Sequence, residues 1–230
     1  MCRRTIAPIA VLCVWMPAAI PERAPVLVEL FTSEGCSSCP PADRLLEKLD
    51  PSVIVLSEHV DYWDRLGWRD PFSSHANTLR QEGYSRQFET EGPYTPQMVI
   101  DGAVQFVGSD APRAAAEIGK AAARQRVSVR LKHEGSTLEI ETGPVPHAAE
   151  VWLAIAEDRT ASQVTAGENR GRNLRHVAVE RNLRKIGSVR RGSPFHQSIA
   201  LDADATGKRL IVFVQEPNLG RVSGAGLLVP

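Results

Sequence analysis

The hydrophobic rhythm of the chain changes near residue 126. Before that point, short apolar runs alternate with stretches of helical spacing. Val26 to Phe31 and Val53 to Leu56 read as short buried strands. Between them, Ala42 to Leu49 puts Leu45, Leu46 and Leu49 on one helical face, and Asp50-Pro51 stops it. Residues 75–89 read as a polar helix, Thr95 to Gly102 as a proline-led strand ending in an Asp-Gly turn, and Val104 to Val107 as its hairpin mate. The Ala-rich stretch Ala111 to Arg126 predicts a further helix. After it, apolar and polar residues alternate with the period of a strand. Val127–Leu131 and Leu138–Ile140 flank the turn Glu134-Gly135-Ser136. Val151–Ile155, His176–Val179 and Leu210–Val214 are further strands. The expectation is an α/β domain over residues 22–126 and an all-β, sandwich-like domain over 127–230.

The first twenty residues follow another pattern. Arg3 and Arg4 precede an apolar run from Ile6 to Met16, and Ala18 and Ala19 follow. That order is the order of a secretory signal, assigned here to residues 1–21. The run is too short for a membrane span, which needs about 20 apolar residues. Leu12, where a small residue is wanted, argues against a lipid anchor at Cys13. The alternative is an N-terminus that stays on a cytosolic protein. Export implies a periplasmic or secreted protein in an oxidising compartment. Bulk numbers add little: 43% hydrophobic and 23% charged residues are ordinary for a globular chain. A formal net charge of +0 gives no pull toward nucleic acid or an anionic membrane.

Of four cysteines, Cys2 and Cys13 fall in the signal, which leaves Cys36-Ser37-Ser38-Cys39. A bridge across so short a loop stabilises a fold little, so chemistry is its better explanation. A strand leading into C-x-x-C and then a helix aims free N–H groups and the positive helix end at the first sulfur. That favours thiolate at Cys36, and adjacent Pro40 and Pro41 weaken the effect if the helix is regular only after them. Cys36 is then the attacking thiolate and Cys39 the resolving thiol. Glu29 is a carboxylate inside an apolar strand; it either takes the proton from Cys39 during exchange or turns to solvent or an ion pair. Thr95-Pro96 either stands in cis beside the sulfurs, exposing backbone to a substrate strand, or is an ordinary trans loop proline.

These residues resemble the thioredoxin-fold superfamily in order: strand, C-x-x-C, then a proline-led strand before a terminal hairpin and helix. On that resemblance Glu29 falls close to the buried acid of thioredoxins. More narrowly, the run from Glu29 to Asp43, the run His59 to Trp68, and Gly167-Glu168-Asn169-Arg170-Gly171-Arg172 resemble a bacterial secreted family, domain of unknown function 1223. The resemblance covers nearly the whole mature chain and implies a thioredoxin-like fold without implying an activity. Two departures from thioredoxins are the missing Trp before the first cysteine and the longer gap from Cys39 to Pro96.

The aromatic loop Tyr62 to Phe72 is read either as a lid in which Tyr62 and Trp63 recognise a partner, or as a small satellite core held by Asp–Arg pairs. His59 either donates a proton, ligates a metal or is structural. The Arg-rich stretch Arg170 to Arg191 reads as a solvated strand face rather than a nucleic-acid site. The expected activity is thiol–disulfide exchange with protein substrates and a redox partner, with no cofactor. The rivals are a copper(I) carrier using Cys36, Cys39 and His59, and an assembly module with an inert bridge.

Overall fold

The computed structural model describes residues 25–50 and 52–229, apart from the side chain of residue 204. The expected signal segment lies outside them. Among the described residues, eleven strands and three α-helices follow in order: β1 Leu27–Thr32, α1 Pro40–Leu49, β2 Ile54–His59, α2 His75–Gln87, β3 Gln97–Ile100, β4 Val104–Val107, α3 Ala111–Ala122, β5 Val129–Glu134, β6 Thr137–Thr142, β7 Ala149–Gln163, β8 Asn173–Val189, β9 Phe195–Ala200, β10 Arg209–Gln215 and β11 Val222–Leu228. The architecture is mixed α/β. One eight-stranded sheet runs β11-β10-β7-β8-β2-β1-β3-β4, and a three-stranded sheet runs β5-β6-β9.

In the first half, β1 and β2 are parallel and β3 and β4 are antiparallel neighbours. Every residue of β1, β2 and β3 is buried, as expected of strands covered on both faces. Leu30, Met98 and Phe106 lie side by side in the register, and the Arg113 guanidinium of α3 stands 5.0 Å over the Phe106 ring. Thr32 on the same face bonds to Asp43 of α1, so α1 and α3 share it. Glu29 and Phe31 point the other way, to Arg80 and Tyr84 of α2. The Asp101-Gly102 turn between β3 and β4 has both φ angles positive, 48° and 58°, as the Asp-Gly signal predicts. The buried Asp101 carboxylate takes the Leu27 N–H and the Arg126 guanidinium.

In the second half, the two-residue period divides the side chains between two cores. Val151, Leu153, Leu210, Val212 and Val214 pack with Leu138 and Ile140 of the small sheet. Trp152, Ala154, Ile211 and Phe213 join the first-half core. Two sheets do pack face to face, but the boundary expected near residue 126 does not separate them. β7, β8, β10 and β11 extend the sheet of β1–β4, joined where β8 runs parallel to β2 at Ser57 and Val179. Alternation tells a strand's faces but not its neighbours, which is why the second half reads as a domain of its own. β8 is also far longer than the expected 176–179, at 17 residues, because its outer face is polar. Cations there pair across strands, Arg181 with Glu157 and Lys185 with Glu150, as on a solvated face. No helix among the described residues is long and apolar enough to cross a membrane.

β11 and the lead-in to β5 approach closely at Gly224, where an added Cβ would sit 2.2 Å from the Val127 carbonyl oxygen. Gly224→Ala is therefore expected to destabilise by about 1–3 kcal/mol, since backbone has to move. Gly119→Ala, in the middle of α3 with open space around it, is expected to stabilise by about 0.5–1 kcal/mol. Urea midpoints of the two variants should move in opposite directions.

Candidate functional site

The chain leaves β1 at Thr32 and turns through residues 33–39 into α1. The Cys36 N–H donates to the Ser33 carbonyl, and the Cys39 N–H donates to the Cys36 carbonyl, both at 3.2 Å. Cys39 is the residue that caps α1, and Pro40 and Pro41 form its first turn. Cys36 and Cys39 are joined as a disulfide with their Cα atoms 5.4 Å apart. Two prolines in the first turn fit the helix well, because N–H groups there have no helical partner. They also remove the donors that were expected to face Cys36. The next two N–H groups, of Ala42 and Asp43, both donate to the Cys39 carbonyl at 2.8 and 3.1 Å.

Both cysteines are 0% exposed, while Ser37 and Ser38 between them face solvent. The tip of the β7–β8 hairpin lies across the turn. Asn169 donates from Nδ2 to the carbonyls of Glu34 and Cys36, at 2.8 and 2.9 Å. Glu168 accepts the Ser37 N–H at 3.2 Å. The aromatic loop closes a second side: a Cβ on Gly35 would meet Trp63 Cβ at 3.0 Å, and Gly167 of the tip rests on Trp68.

Beneath the turn is a buried polar network. The Glu34 carboxylate accepts from Trp68 Nε1 at 2.9 Å, from the Ser162 hydroxyl, and lies 3.1 Å from His176 Nε2. The Glu34 N–H donates to Asp70, whose Oδ2 is also 2.7 Å from His59 Nδ1. The rings of His59 and His176 meet edge to face at 4.6 Å. Asp43 completes the group, accepting from the Thr32 hydroxyl at 2.8 Å with His176 Nδ1 at 3.9 Å. Burial alone would raise the Asp70 carboxyl, but the His59 charge and the N–H groups of Glu34 and Phe72 outweigh it and hold it at about 2. Burial pushes His59 down, and Asp70, with Asp43 and Glu34 behind it, pulls it above its usual value. Burial raises Asp43, against the opposing pull of His176 and His59.

The sequence-predicted residues fall on two sides of β1. Thr95 and Pro96 touch neighbours of the disulfide turn: Trp63, which packs on Gly35, donates from Nε1 to Thr95 Oγ1 at 2.8 Å, and the space over Gly108 is bounded by Pro96, Leu30 and Ala42 of α1. The Thr95–Pro96 peptide is cis. Tyr62 donates to Gln81 at 3.1 Å and, with Trp63, packs against the small core of Phe31, Val60, Tyr84 and Val99. The loop is thus partly a satellite core, held by Asp64 to Ser73 and Asp70 to His59 rather than by Asp–Arg pairs. Glu29 is not at the disulfide. It lies on the α2 face, its oxygens taken by Arg80 Nε at 2.9 Å and the Tyr84 hydroxyl at 2.7 Å, with Glu58 alongside Arg80 at 3.4 Å. The copper(I) arrangement of Cys36, Cys39 and His59 is not assembled either. The sulfurs are bonded to each other, and His59 Nδ1 is held by Asp70. Among the described residues no group of three or more His, Cys, Asp or Glu side chains is placed to hold a metal ion.

Residues 27–215 match the family profile described as "Protein of unknown function (DUF1223)". The chain belongs to the DUF1223 family. Its structure is similar to the X-ray structure of protein AGR_C_4864 from Agrobacterium tumefaciens, at 31% identity and a TM-score of 0.79, over 90% of this chain and 95% of that one. It is also similar in fold to HBP35 of Porphyromonas gingivalis, at 12% identity and a TM-score of 0.61, over 90% of this chain and 75% of that one. No curated protein matches the chain.

The arrangement around the disulfide draws on residues to which the sequence alone assigns no role: Glu34, Asp43, Trp68, Glu168 and Asn169. Asp70, Ser162 and His176 also take part. A signal was present in the family-like runs, since Glu34, Asp43 and Asn169 lie within them. The paired charges of His59 and Asp70 give a pH prediction. Asp70 is lowered from 3.8, so its contribution is complete above that value and is lost as pH falls toward about 2. His59 is raised, so its share is complete below 6.5 and is lost as pH rises through its folded value. Asp70→Asn should therefore cost about 2 kcal/mol near pH 5, at 1.36 kcal/mol per unit, and the gap to wild type should narrow toward pH 2. Urea unfolding at a series of pH values measures it.

Proposed function

We propose that this DUF1223 protein performs thiol–disulfide exchange on protein partners at Cys36–Cys39. The observation that carries the reading is a C-x-x-C bridge at a strand-to-helix corner, with the second cysteine capping the helix. A thioredoxin-like reading of the fold belongs to the same proposal, and the order β2-β1-β3-β4, with β1 and β2 parallel and β3 and β4 antiparallel, supports it. In the exchange a partner thiolate bonds to the Cys36 sulfur and the Cys36–Cys39 bond breaks. Cys39 leaves with the electron pair. In the reverse direction the Cys39 thiolate attacks the mixed disulfide and releases the partner thiolate. Trp63 and Thr95 form the wall against which a partner strand docks. Export to an oxidising compartment belongs to the same reading, and no organic cofactor is required.

Full burial of both sulfurs means that the β7–β8 tip has to lift before a partner reaches Cys36. The same burial favours a second reading, an inert bridge in an assembly module. The two differ in reduction potential, because structural bridges lie below about −300 mV.

Cys39→Ala in the exported protein should accumulate mixed disulfides through Cys36, visible as adducts that a reductant releases. Absence of adducts, together with wild-type protein that neither reduces nor oxidises a small protein disulfide, overturns the exchange reading. Asn169→Ala removes two bonds of the cover, about 1–2 kcal/mol in all. Reduction by dithiothreitol, followed by thiol labelling, should then run roughly 5–30 times faster than in wild type. An unchanged rate would show that the tip is not the barrier.

A further inference from the structure

We infer that Asp43 is the group that exchanges a proton with Cys39 as the disulfide opens and closes, with His176 and His59 forming the buried route behind it; this rests on the exchange reading. When a thiolate bonds to Cys36, Cys39 leaves as a thiolate in a site closed to solvent, and a buried anion without a partner is strongly disfavoured. A built source of a proton stands one turn along α1. Residues four apart share a helix face, so the Asp43 side chain stands on the side of Cys39, and its own N–H bonds the Cys39 carbonyl at 3.1 Å.

The Asp43 carboxyl is buried, and its two oxygens differ. Oδ1 accepts from Thr32, whereas Oδ2 is buried with no hydrogen-bond partner. Two more buried atoms in the same cluster are also without partners, His176 Nδ1 and His59 Nε2. Buried polar atoms are nearly always paired, and unpaired ones gathered beside a disulfide fit groups that gain and lose a proton. The groups that face Asp43 are Thr32 of β1, His59 of β2, Asp70 of the aromatic loop and His176 of β8, with Glu34 behind His176. Desolvation favours the protonated carboxyl in the oxidised protein.

In the opening step the Asp43 O–H bond breaks and the Cys39 S–H bond forms, leaving a carboxylate. In the closing step the Cys39 thiol returns its proton to that carboxylate, and the resulting thiolate attacks the Cys36 mixed disulfide. The carboxylate formed in between lies beside His176 Nδ1, and His176 leads through Nε2 to Glu34. Glu29 cannot take this part, because it lies on the other face of β1 with Arg80 and Tyr84 on its oxygens.

The first test is infrared. A reduced-minus-oxidised difference spectrum, with a small phosphine as reductant on the full chain, should contain a carboxyl band that Asp43→Asn removes. This needs no protein partner, so its success beside a failed Cys36 trap would sink exchange on proteins and keep the proton assignment. A difference spectrum without an Asp43-dependent band overturns the assignment. The second test is the pH profile of mixed-disulfide resolution at Cys36. Asp43→Asn should slow resolution by about 100-fold, the lower range for a positioned acid–base group. Thr32→Val, which keeps the shape and removes one bond to the carboxylate, should move the inflection to higher pH. Folded variants with the wild-type rate and profile overturn the inference.

Discussion

A carboxylate taken out of water has to find donors, and Glu34 finds them on segments as far as 142 residues away. The Trp68 indole comes from the aromatic loop, the Ser162 hydroxyl from β7 and the His176 ring from β8. Its own N–H and carbonyl reach Asp70 and Asn169. One side chain two residues before Cys36 thus ties the disulfide turn to every segment that covers it. The sealed bridge, the position of the hairpin tip and the seating of His176 beside Asp43 all follow from satisfying that charge.

β1 divides the buried polar groups into two kinds of network. On the α2 face, Arg80 answers Glu29, bonds the Tyr84 hydroxyl at 3.2 Å and Gln215 at 3.2 Å, and lies over the Trp152 and Phe213 rings. Burial and the Glu29 charge raise the neighbouring Glu58 well above the usual carboxylate range. That arrangement fixes a single charge pattern and joins α2 to the far strands of the sheet. On the α1 face, the imidazoles of His59 and His176 and the carboxyl of Asp43 keep unpaired atoms, as the Glu58 carboxyl does on the α2 face. The two faces differ in their cations: one network closes around a guanidinium, the other is built on two imidazoles.

Much of the first half was legible from residues alone. Apolar runs located β1 and β2, alanine content located α3, and the Asp-Gly pair located the β3–β4 turn. The misplacement of Glu29 has a physical reason. All six residues of β1 are buried, so alternation gives no sign of which face carries which group. Burial of the acid was readable, but its side was not, since Arg80 lies 51 residues away. The long β8 was hidden because its outward residues are charged and its inward partner strand is remote in sequence. Glu34 and Asn169 escaped a role for a simpler reason: polar residues in turns read as solvated, and only tertiary contact shows them buried.

The join between β2 and β8 has a consequence for how the chain can be divided. β8 supplies both the neighbour of β2 in the sheet and, through its tip, the cover of the disulfide. A fragment ending near residue 126 would carry the sulfurs but leave the β2 edge open to foreign strands and Glu34 without Ser162 and His176. Modularity therefore ends at that seam: the half that bears the disulfide is completed and sealed by the half that bears none.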